Sequence, residues 1–224
     1  MATTERSRNT PLAWTTIRLS FRLFYRRLGI FLAGNVLWLV VSLPLITLPA
    51  ATGGLFYLAY RVVSEERDLD PKPAEIGDFW VGLRSYWQRC TLLGLLNFVA
   101  LAMLVVALLF YLGSPVEPFR WLIGPVFLIL IVFLGMQIYL FALLIVSPEA
   151  SIYSIFRQAF LLFLAYPFDN LLLLISLIVL TAISLALAGP VLLLLFSLLA
   201  LIQTVALRLV RIERGEIPGS KSGE

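Results

Sequence analysis

The sequence predicts an all-α protein, a polytopic bundle of transmembrane helices with about six spans arranged as three hairpins. Of its 224 residues, 61% are hydrophobic and only 13% are charged. Soluble domains contain about 45–50% apolar and about 25% charged residues, and a soluble fold of this size could not bury so much apolar surface. The composition therefore excludes a soluble globular protein, a disordered chain and a disulfide-rich scaffold.

The first predicted element is an amphipathic helix within the N-terminal segment 1–27. Its apolar residues recur at steps of three or four: Trp14, Ile17, Phe21, Phe24 and Leu28. The arginines follow every fourth residue on an adjoining face: Arg18, Arg22 and Arg26. The pattern indicates either a helix on the membrane surface with its arginines toward lipid phosphates, or an ordinary basic flank without special affinity.

Residues 28–63 form a long apolar segment that predicts a broken hairpin. As a helix it extends about 54 Å, too long for one crossing of the about 30 Å hydrocarbon core and barely long enough for two. Helix-breaking residues place the break near the middle: Pro44, Pro49, Gly53 and Gly54. We expect a short second arm over residues 51–63, which either crosses fully or re-enters on one side.

Residues 64–90 combine a polar loop with a second amphipathic helix. The loop mixes acidic and basic residues, and Asp78 is placed to cap the helix that follows. Bulky apolar residues share one face, opposite Arg84 and Arg89: Phe79, Trp80, Leu83, Tyr86 and Trp87. Because Trp and Tyr prefer the headgroup region, we interpret residues 79–90 as an interfacial helix that ends before a span begins at residue 91.

The rest of the chain predicts two further hairpins within one transmembrane domain, residues 1–224. The first joins its spans through a proline-containing turn, and the second has Gly189-Pro190 at its hinge. A cytoplasmic linker helix connects the hairpins, and a polar tail follows them. The segments in chain order are hairpin 91–147, linker 148–170, hairpin 171–207 and tail 208–224.

Basic residues set the predicted orientation. With both termini and residues 61–90 and 147–168 on one side, 16 of the 17 Lys and Arg residues share that side, and only Arg120 lies opposite. Lys and Arg are enriched on the cytoplasmic side of membrane proteins, so we expect both termini in the cytoplasm. A five-span alternative would place either the basic N-terminal segment or the loop outside, and the charge bias rejects it.

Three stretches share one layout and suggest an internal repeat. Each runs from aromatic and basic residues through an apolar stretch to an asparagine near the start of a span: Asn35, Asn97 and Asn170. We hypothesise three copies of a unit made of an interfacial helix and a two-span hairpin. Parallel repeats of this kind occur in transporters, although basic and aromatic flanks are common in any polytopic protein.

The spans carry no charged residue well inside the hydrocarbon, which argues against proton relays and ion-coupled pumps. The candidate intramembrane polar contacts are Asn35, Asn97, Gln137 and Gln203. We favour the interpretation that these amides hydrogen-bond between helices. The alternative is that they line a cavity for an uncharged solute.

Residue counts exclude several chemistries. The chain has no histidine and a single cysteine, so an internal disulfide, a cysteine-cluster metal site and histidine catalysis are excluded. Beside Arg89, Cys90 is either a reactive nucleophile or, as we favour, an inert packing residue. We expect no catalytic residue, cofactor, metal or nucleic-acid partner.

Two strings resemble the YesL-like family of bacterial membrane proteins: LPLITLPAATGGLFYLAYRVVSEE at 43–66 and DFWVGLRSYWQR at 78–89. Ala51 adds one residue to the commonest spacing of the family's turn. The residues that carry the resemblance are Thr47, Pro49, Ala50, Thr52, Tyr57, Arg61, Phe79, Trp80, Arg84 and Trp87.

The resemblance implies an integral protein of the bacterial plasma membrane whose partners are components of sugar-uptake transporters. It supplies no catalytic residues. We therefore expect a non-enzymatic accessory of carbohydrate uptake, embedded in the lipid bilayer, that docks through residues 64–90. The alternative is a small transporter or channel for a neutral solute, and a membrane enzyme is the least favoured class.

Overall fold

The computed structural model describes residues 11–66, 72–114, 117–186 and 192–217. Every regular element within these ranges is helical, as predicted. A 3-10 turn at Leu45–Thr47 separates the second helix from the third. The helices are α1 (Leu12–Arg26), α2 (Leu28–Ser42), α3 (Leu48–Glu65), α4 (Gly77–Gly113), α5 (Glu117–Arg120), α6 (Ile123–Val146), α7 (Ile152–Ala165), α8 (Pro167–Ala186) and α9 (Leu192–Glu213).

Several of these helices have the length and apolar composition of membrane spans. Within the described ranges, 5 helical segments qualify individually, and the bent pair α1–α2 raises the number to 6. The qualifying segments contain α3, α4, α6, α8 and α9. This agrees with the predicted polytopic helical bundle, because a crossing helix needs about 20 predominantly apolar residues.

Helix α1 meets α2 at a sharp bend of 92° at Arg27. The apolar face predicted for α1 is divided in the structure, because Trp14 and Phe21 are exposed whereas Phe24 is buried. Residues outside the predicted face, among them Leu12, Thr16 and Leu23, are buried against neighbouring helices. Apart from Phe24, which stacks on Phe31, the residues of α1 that face the neighbouring helices are small or branched, and the rings of Trp14, Phe21 and Tyr25 point outward. Hydrophobicity alone could not separate these faces, since apolar residues lie on both.

The break in the first hairpin lies at residues 43–47, earlier than predicted. Pro49 belongs to the first turn of α3, where a missing N–H is tolerated, and Gly53 and Gly54 continue the same helix. The prediction that the second arm is the short one is wrong: α3 has 18 residues and α2 has 15.

The predicted boundary between an interfacial helix and a span at residue 90 is also wrong. Helix α4 continues unbroken through 37 residues from Gly77 to Gly113. The change from a charged to an apolar sequence therefore marks where the helix enters an apolar environment, and it does not mark a helix end. Beyond residue 91, α4 presents many exposed apolar side chains, as expected of a helix in contact with lipid.

The linker between the second and third hairpins is a helix that folds back along α6. Helix α7 begins at Ser151, whose side chain accepts a hydrogen bond from the Ser154 N–H, 3.2 Å away. Its buried side packs on α6, and the Phe163 ring lies directly against Gly135. A glycine at 135 lets the ring approach the α6 backbone, so the linker is packed into the bundle.

Helix α9 lies at the centre of the bundle, where it contacts α1, α2, α3, α6 and α8. Its inner surface carries small or branched residues that are fully buried, including Ala200, Val205 and Ala206. Lipid tails are as apolar as leucine, so helices in a bilayer associate mainly through such close packing and interhelical hydrogen bonds.

The structure gives the repeat hypothesis no support, because the first two proposed units join their parts differently. The first unit has the bend between α1 and α2, whereas the second runs continuously through α4. The predicted hinge at Gly189-Pro190 and residues 218–224 of the predicted tail lie outside the described residues. The first part of that tail, residues 208–213, continues helix α9.

Candidate functional site

The turn between α2 and α3 is closed by two threonine hydroxyls. Thr47 donates its Oγ1 hydrogen toward the carbonyl oxygens of Val41 and Pro44, the latter 2.8 Å away. The Thr52 hydroxyl accepts a hydrogen bond from Nε1 of Trp38 at 3.1 Å and donates one to the Leu48 carbonyl at 2.8 Å. The bond to Val41 satisfies one of the carbonyl groups that the C-terminal end of α2 leaves unpaired, which an apolar environment requires.

Helices α3 and α4 pack antiparallel through a seam of residues spaced four apart. On α3 the seam consists of Pro49, Gly53, Tyr57 and Arg61; on α4 it consists of Asp78, Gly82, Tyr86, Cys90 and Gly94.

Facing residues of the α3–α4 seam are in direct contact along its whole length. Gly94 lies against Pro49, and the Cys90 Sγ lies against Gly53. The Tyr57 side chain covers Gly82, with its ring centroid 5.9 Å from that of Tyr86. Small residues at facing positions let the two backbones approach closely.

Cys90 is a packing residue of the α3–α4 seam. Its side chain is fully buried, 0% exposed, and lies against Gly53. This is the inert role that we favoured from the sequence, since a reactive thiol needs access to its substrate.

Charged residues converge where α1, α3, α4 and α9 meet, at the end of the bundle that we call the basic end. Arg26 pairs with Glu66 at 2.5 Å, and Arg27 pairs with Glu65. Glu65 also accepts a hydrogen bond from the Ala74 N–H at 3.0 Å.

Two further arginines tie the basic end together. Arg61 approaches the Asp78 carboxylate at 3.4 Å with both side chains largely buried, 11% and 17% exposed. Arg208 of α9 donates to the Val63 carbonyl at 2.6 Å. The basic end is therefore a built network that fixes the start of α4 against α3.

The aromatic residues at the start of α4 divide between inside and outside. Phe79 is fully buried, whereas Trp80, Arg84 and Trp87 are exposed and share one outward face. We call these three residues the α4 ridge. The prediction that Arg84 lies opposite the tryptophans is therefore wrong. The structure thus separates the family-like residues into an internal set, which builds the turn and the seam, and a ridge that faces outward.

The predicted intramembrane amides bond between helices. Asn97 of α4 and Gln137 of α6 form two reciprocal hydrogen bonds of 2.8 and 2.6 Å. Asn35 of α2 is fully buried and accepts a bond from the Ser197 N–H of α9 at 3.2 Å. The Ser197 hydroxyl also donates to the Phe31 carbonyl at 2.8 Å.

Gln203 lies in a groove between α6, α8 and α9 that Gln137 also lines. The groove has a volume of about 460 Å³ and opens widely to the outside. Its polar side chains are Gln137, Thr181 and Gln203, and the remaining lining is apolar.

Two polar residues that the sequence did not single out for the site join four helices. Asn170 is fully buried, accepts a hydrogen bond from the Tyr139 hydroxyl of α6, and donates to the carbonyls of Leu162 and Phe163, each 3.0 Å away. Asp169 accepts a bond from the Ala13 N–H at the start of α1 at 3.3 Å. The signal was present, because Asn170 was the third asparagine of the proposed repeat.

The three arginines predicted for the membrane surface are all exposed on α1. They are not equivalent, because Arg26 is paired with Glu66 whereas Arg18 and Arg22 contact no carboxylate within the described part of the chain. None of the described residues of α1 is acidic.

Comparison with known proteins adds one finding to this geometry. Residues 31–108 match a family described as "Protein of unknown function, DUF624". No curated protein and no solved structure matches the chain. The match is consistent with a YesL-like family.

The matched residues correspond to one structural unit. They include most of α2, the turn, α3 and most of α4. This stretch contains the two threonine hydroxyls and the complete α3–α4 seam. In this chain the matched residues form a helical hairpin and the helix packed against it.

Proposed function

We propose that this protein is a non-enzymatic accessory of a carbohydrate-uptake system in the bacterial plasma membrane, with both termini and the basic end in the cytoplasm. It docks on a transporter component through the α4 ridge. The observation that carries the proposal is the outward face of that ridge on a helix whose opposite side is held by the α3–α4 seam. The class of partner is taken from the resemblance to YesL-like proteins.

The hydrogen bonding of the amides favours a structural scaffold and argues against a pathway for a solute. Asn35, Asn97 and Gln137 use their polar atoms on neighbouring helices. A pathway for a sugar needs hydrogen-bonding groups that face the solute, whereas interhelical pairs stabilise the bundle by about 0.6 kcal/mol each on average.

The composition of the α4 ridge supports docking on a protein. Trp and Arg are the side chains most enriched among residues that dominate binding energies at interfaces. Trp80 and Trp87 are 42% and 49% exposed, with Arg84 between them on the same face. The seam holds the helix rigid, so a partner would meet a preorganised surface.

In-membrane photocrosslinking tests this proposal. A photoreactive amino acid replaces Trp87, and the matched control carries it at Ser85, which is also exposed but lies on the other side of α4. We expect a discrete adduct at position 87 containing a membrane component of a sugar transporter, and none at position 85. Identical adducts at both positions, or an adduct at 87 without any transporter component, would contradict the proposal.

A small transporter for a neutral solute is the second candidate, favoured by the groove around Gln203. A groove of about 460 Å³ is large enough for a small solute, and Gln203 lines it beside Gln137, whose amide is bonded to Asn97, and Thr181, whose hydroxyl is bonded to the Leu177 carbonyl. Uptake of labelled neutral sugars into proteoliposomes, compared between the natural protein and Gln203→Leu, separates the two candidates. Uptake that the substitution abolishes would favour transport, and absence of uptake in both favours the accessory role.

A further inference from the structure

We infer that α1 is a binding surface for anionic phospholipid, on which Arg18 and Arg22 hold lipid phosphates while the aromatic rings beside them enter the headgroup region. This inference is independent of the transporter partner proposed above.

The bend at Arg27 sets the direction of α1. Helices α1 and α2 meet at 92°. With the apolar α2 placed in the bilayer, as in the orientation proposed above, a helix at a right angle to it lies along the membrane plane. Helices that lie in this plane place an apolar edge among the acyl chains and cationic side chains at the phosphates.

The exposed face of α1 has such an arrangement. Three aromatic side chains form one edge of it, with Trp14 59%, Phe21 45% and Tyr25 81% exposed. At 100° per residue, Arg18 and Arg22 fall on the edge next to these rings, and both are exposed. The opposite face of α1 packs on α9 and α8, so among the described residues the face with the rings and arginines is left open to a ligand.

The positive charges of Arg18 and Arg22 indicate that the ligand is an anionic lipid. Arg26 and Arg27 are neutralised by Glu66 and Glu65, whereas Arg18 and Arg22 have no carboxylate partner among the described residues. Two cationic groups four residues apart, beside rings that favour the headgroup region, match phosphates at the surface of a bilayer. A zwitterionic lipid offers the same phosphate but cancels its charge, so the preference is for an anionic headgroup.

A local quenching experiment tests the inference. Thr15, exposed beside the arginines, is replaced by cysteine and labelled with a fluorophore; the buried Cys90 stays unlabelled in the folded protein. The full chain is reconstituted in nanodiscs containing either phosphatidylglycerol or phosphatidylcholine that carries the same nitroxide quencher. The ratio of the two quenching constants measures the local preference for the anionic lipid.

We expect phosphatidylglycerol to quench more strongly, with a preference that falls about fivefold for each of Arg18→Gln and Arg22→Gln. Arg26→Gln is the matched control, because it removes the same charge from the same helix at a paired arginine, and it should leave the ratio within twofold. Equal quenching by both lipids in the unsubstituted helix would overturn the inference. An equal loss in all three variants would also overturn it, because it would indicate unspecific attraction by net charge.

Discussion

Pro49 lies so close to Gly94 that a Cβ atom added at position 94 would come within 2.6 Å of the Cβ atom of Pro49. This contact closes one end of the α3–α4 seam, and the pair of Arg61 and Asp78 closes the other. Between these two ends, Gly53 of α3 faces the Cys90 thiol of α4, and Gly82 of α4 faces the Tyr57 ring of α3. The seam therefore depends on small residues at fixed four-residue steps.

Replacing Gly94 by leucine should open the seam. Overpacked sites cost about 1–3 kcal/mol because neighbouring side chains and backbone must shift. The sole cysteine, Cys90, is buried one turn away, so its rate of thiol labelling in mild detergent reports the opening directly. We expect labelling to accelerate by at least tenfold.

Gly113→Leu is the control for this variant. Gly113 ends the same helix and has open space where a Cβ atom would stand. Its labelling rate should equal that of the natural protein. Equal acceleration in both variants would show that the effect comes from the loss of glycine in α4 and not from the seam.

Replacing Thr52 by valine or leucine should destabilise the turn between α2 and α3. Either substitution removes the acceptor for the Trp38 indole N–H, and Trp38 is buried, so an unpaired donor costs about 1–3 kcal/mol. Thermal unfolding followed by circular dichroism checks this. Thr52→Ser keeps the hydroxyl and should unfold near the natural temperature; if serine and valine behave alike, the hydrogen bond does not stabilise the turn.

The amides of Asn97 and Gln137 should be energetically coupled. A double-mutant cycle with leucine at each position isolates the pair, because both reciprocal hydrogen bonds disappear with either substitution. We expect a coupling free energy of about 0.6–1.7 kcal/mol from unfolding in detergent. Additive effects of the two substitutions would argue that the amides contribute independently.

The helical class and the broken first hairpin could be predicted from the sequence, because apolar composition, length and prolines act locally. The continuity of α4 could not, since the charge boundary near Arg89 reflects the surroundings of the helix and not its backbone. Which residues of α1 pack on the bundle could not be predicted either, because Trp14 and Leu23 have similar apolar character and only the contact with α9 separates them.

The candidate site was predictable in part. The turn residues Thr47 and Thr52 were found through their resemblance to a family, and the amides through their scarcity in apolar helices. The seam was missed because a contact such as Gly53 with Cys90 depends on the register between two helices. The four-residue spacing on α3 and on α4 was visible in the sequence, but it does not say which other helix each of these faces packs against.

The central claim is that the apolar helices cross a membrane with the basic end in the cytoplasm, and labelling of single cysteines tests it most directly. Cysteine is placed at Lys72, beside the basic end, or at Glu117, between α4 and α6, in a chain with Cys90→Ala. A membrane-impermeant maleimide applied to intact cells should label position 117 and leave position 72 unlabelled until the cells are lysed. Labelling of position 72 in intact cells, with position 117 protected, would contradict the account.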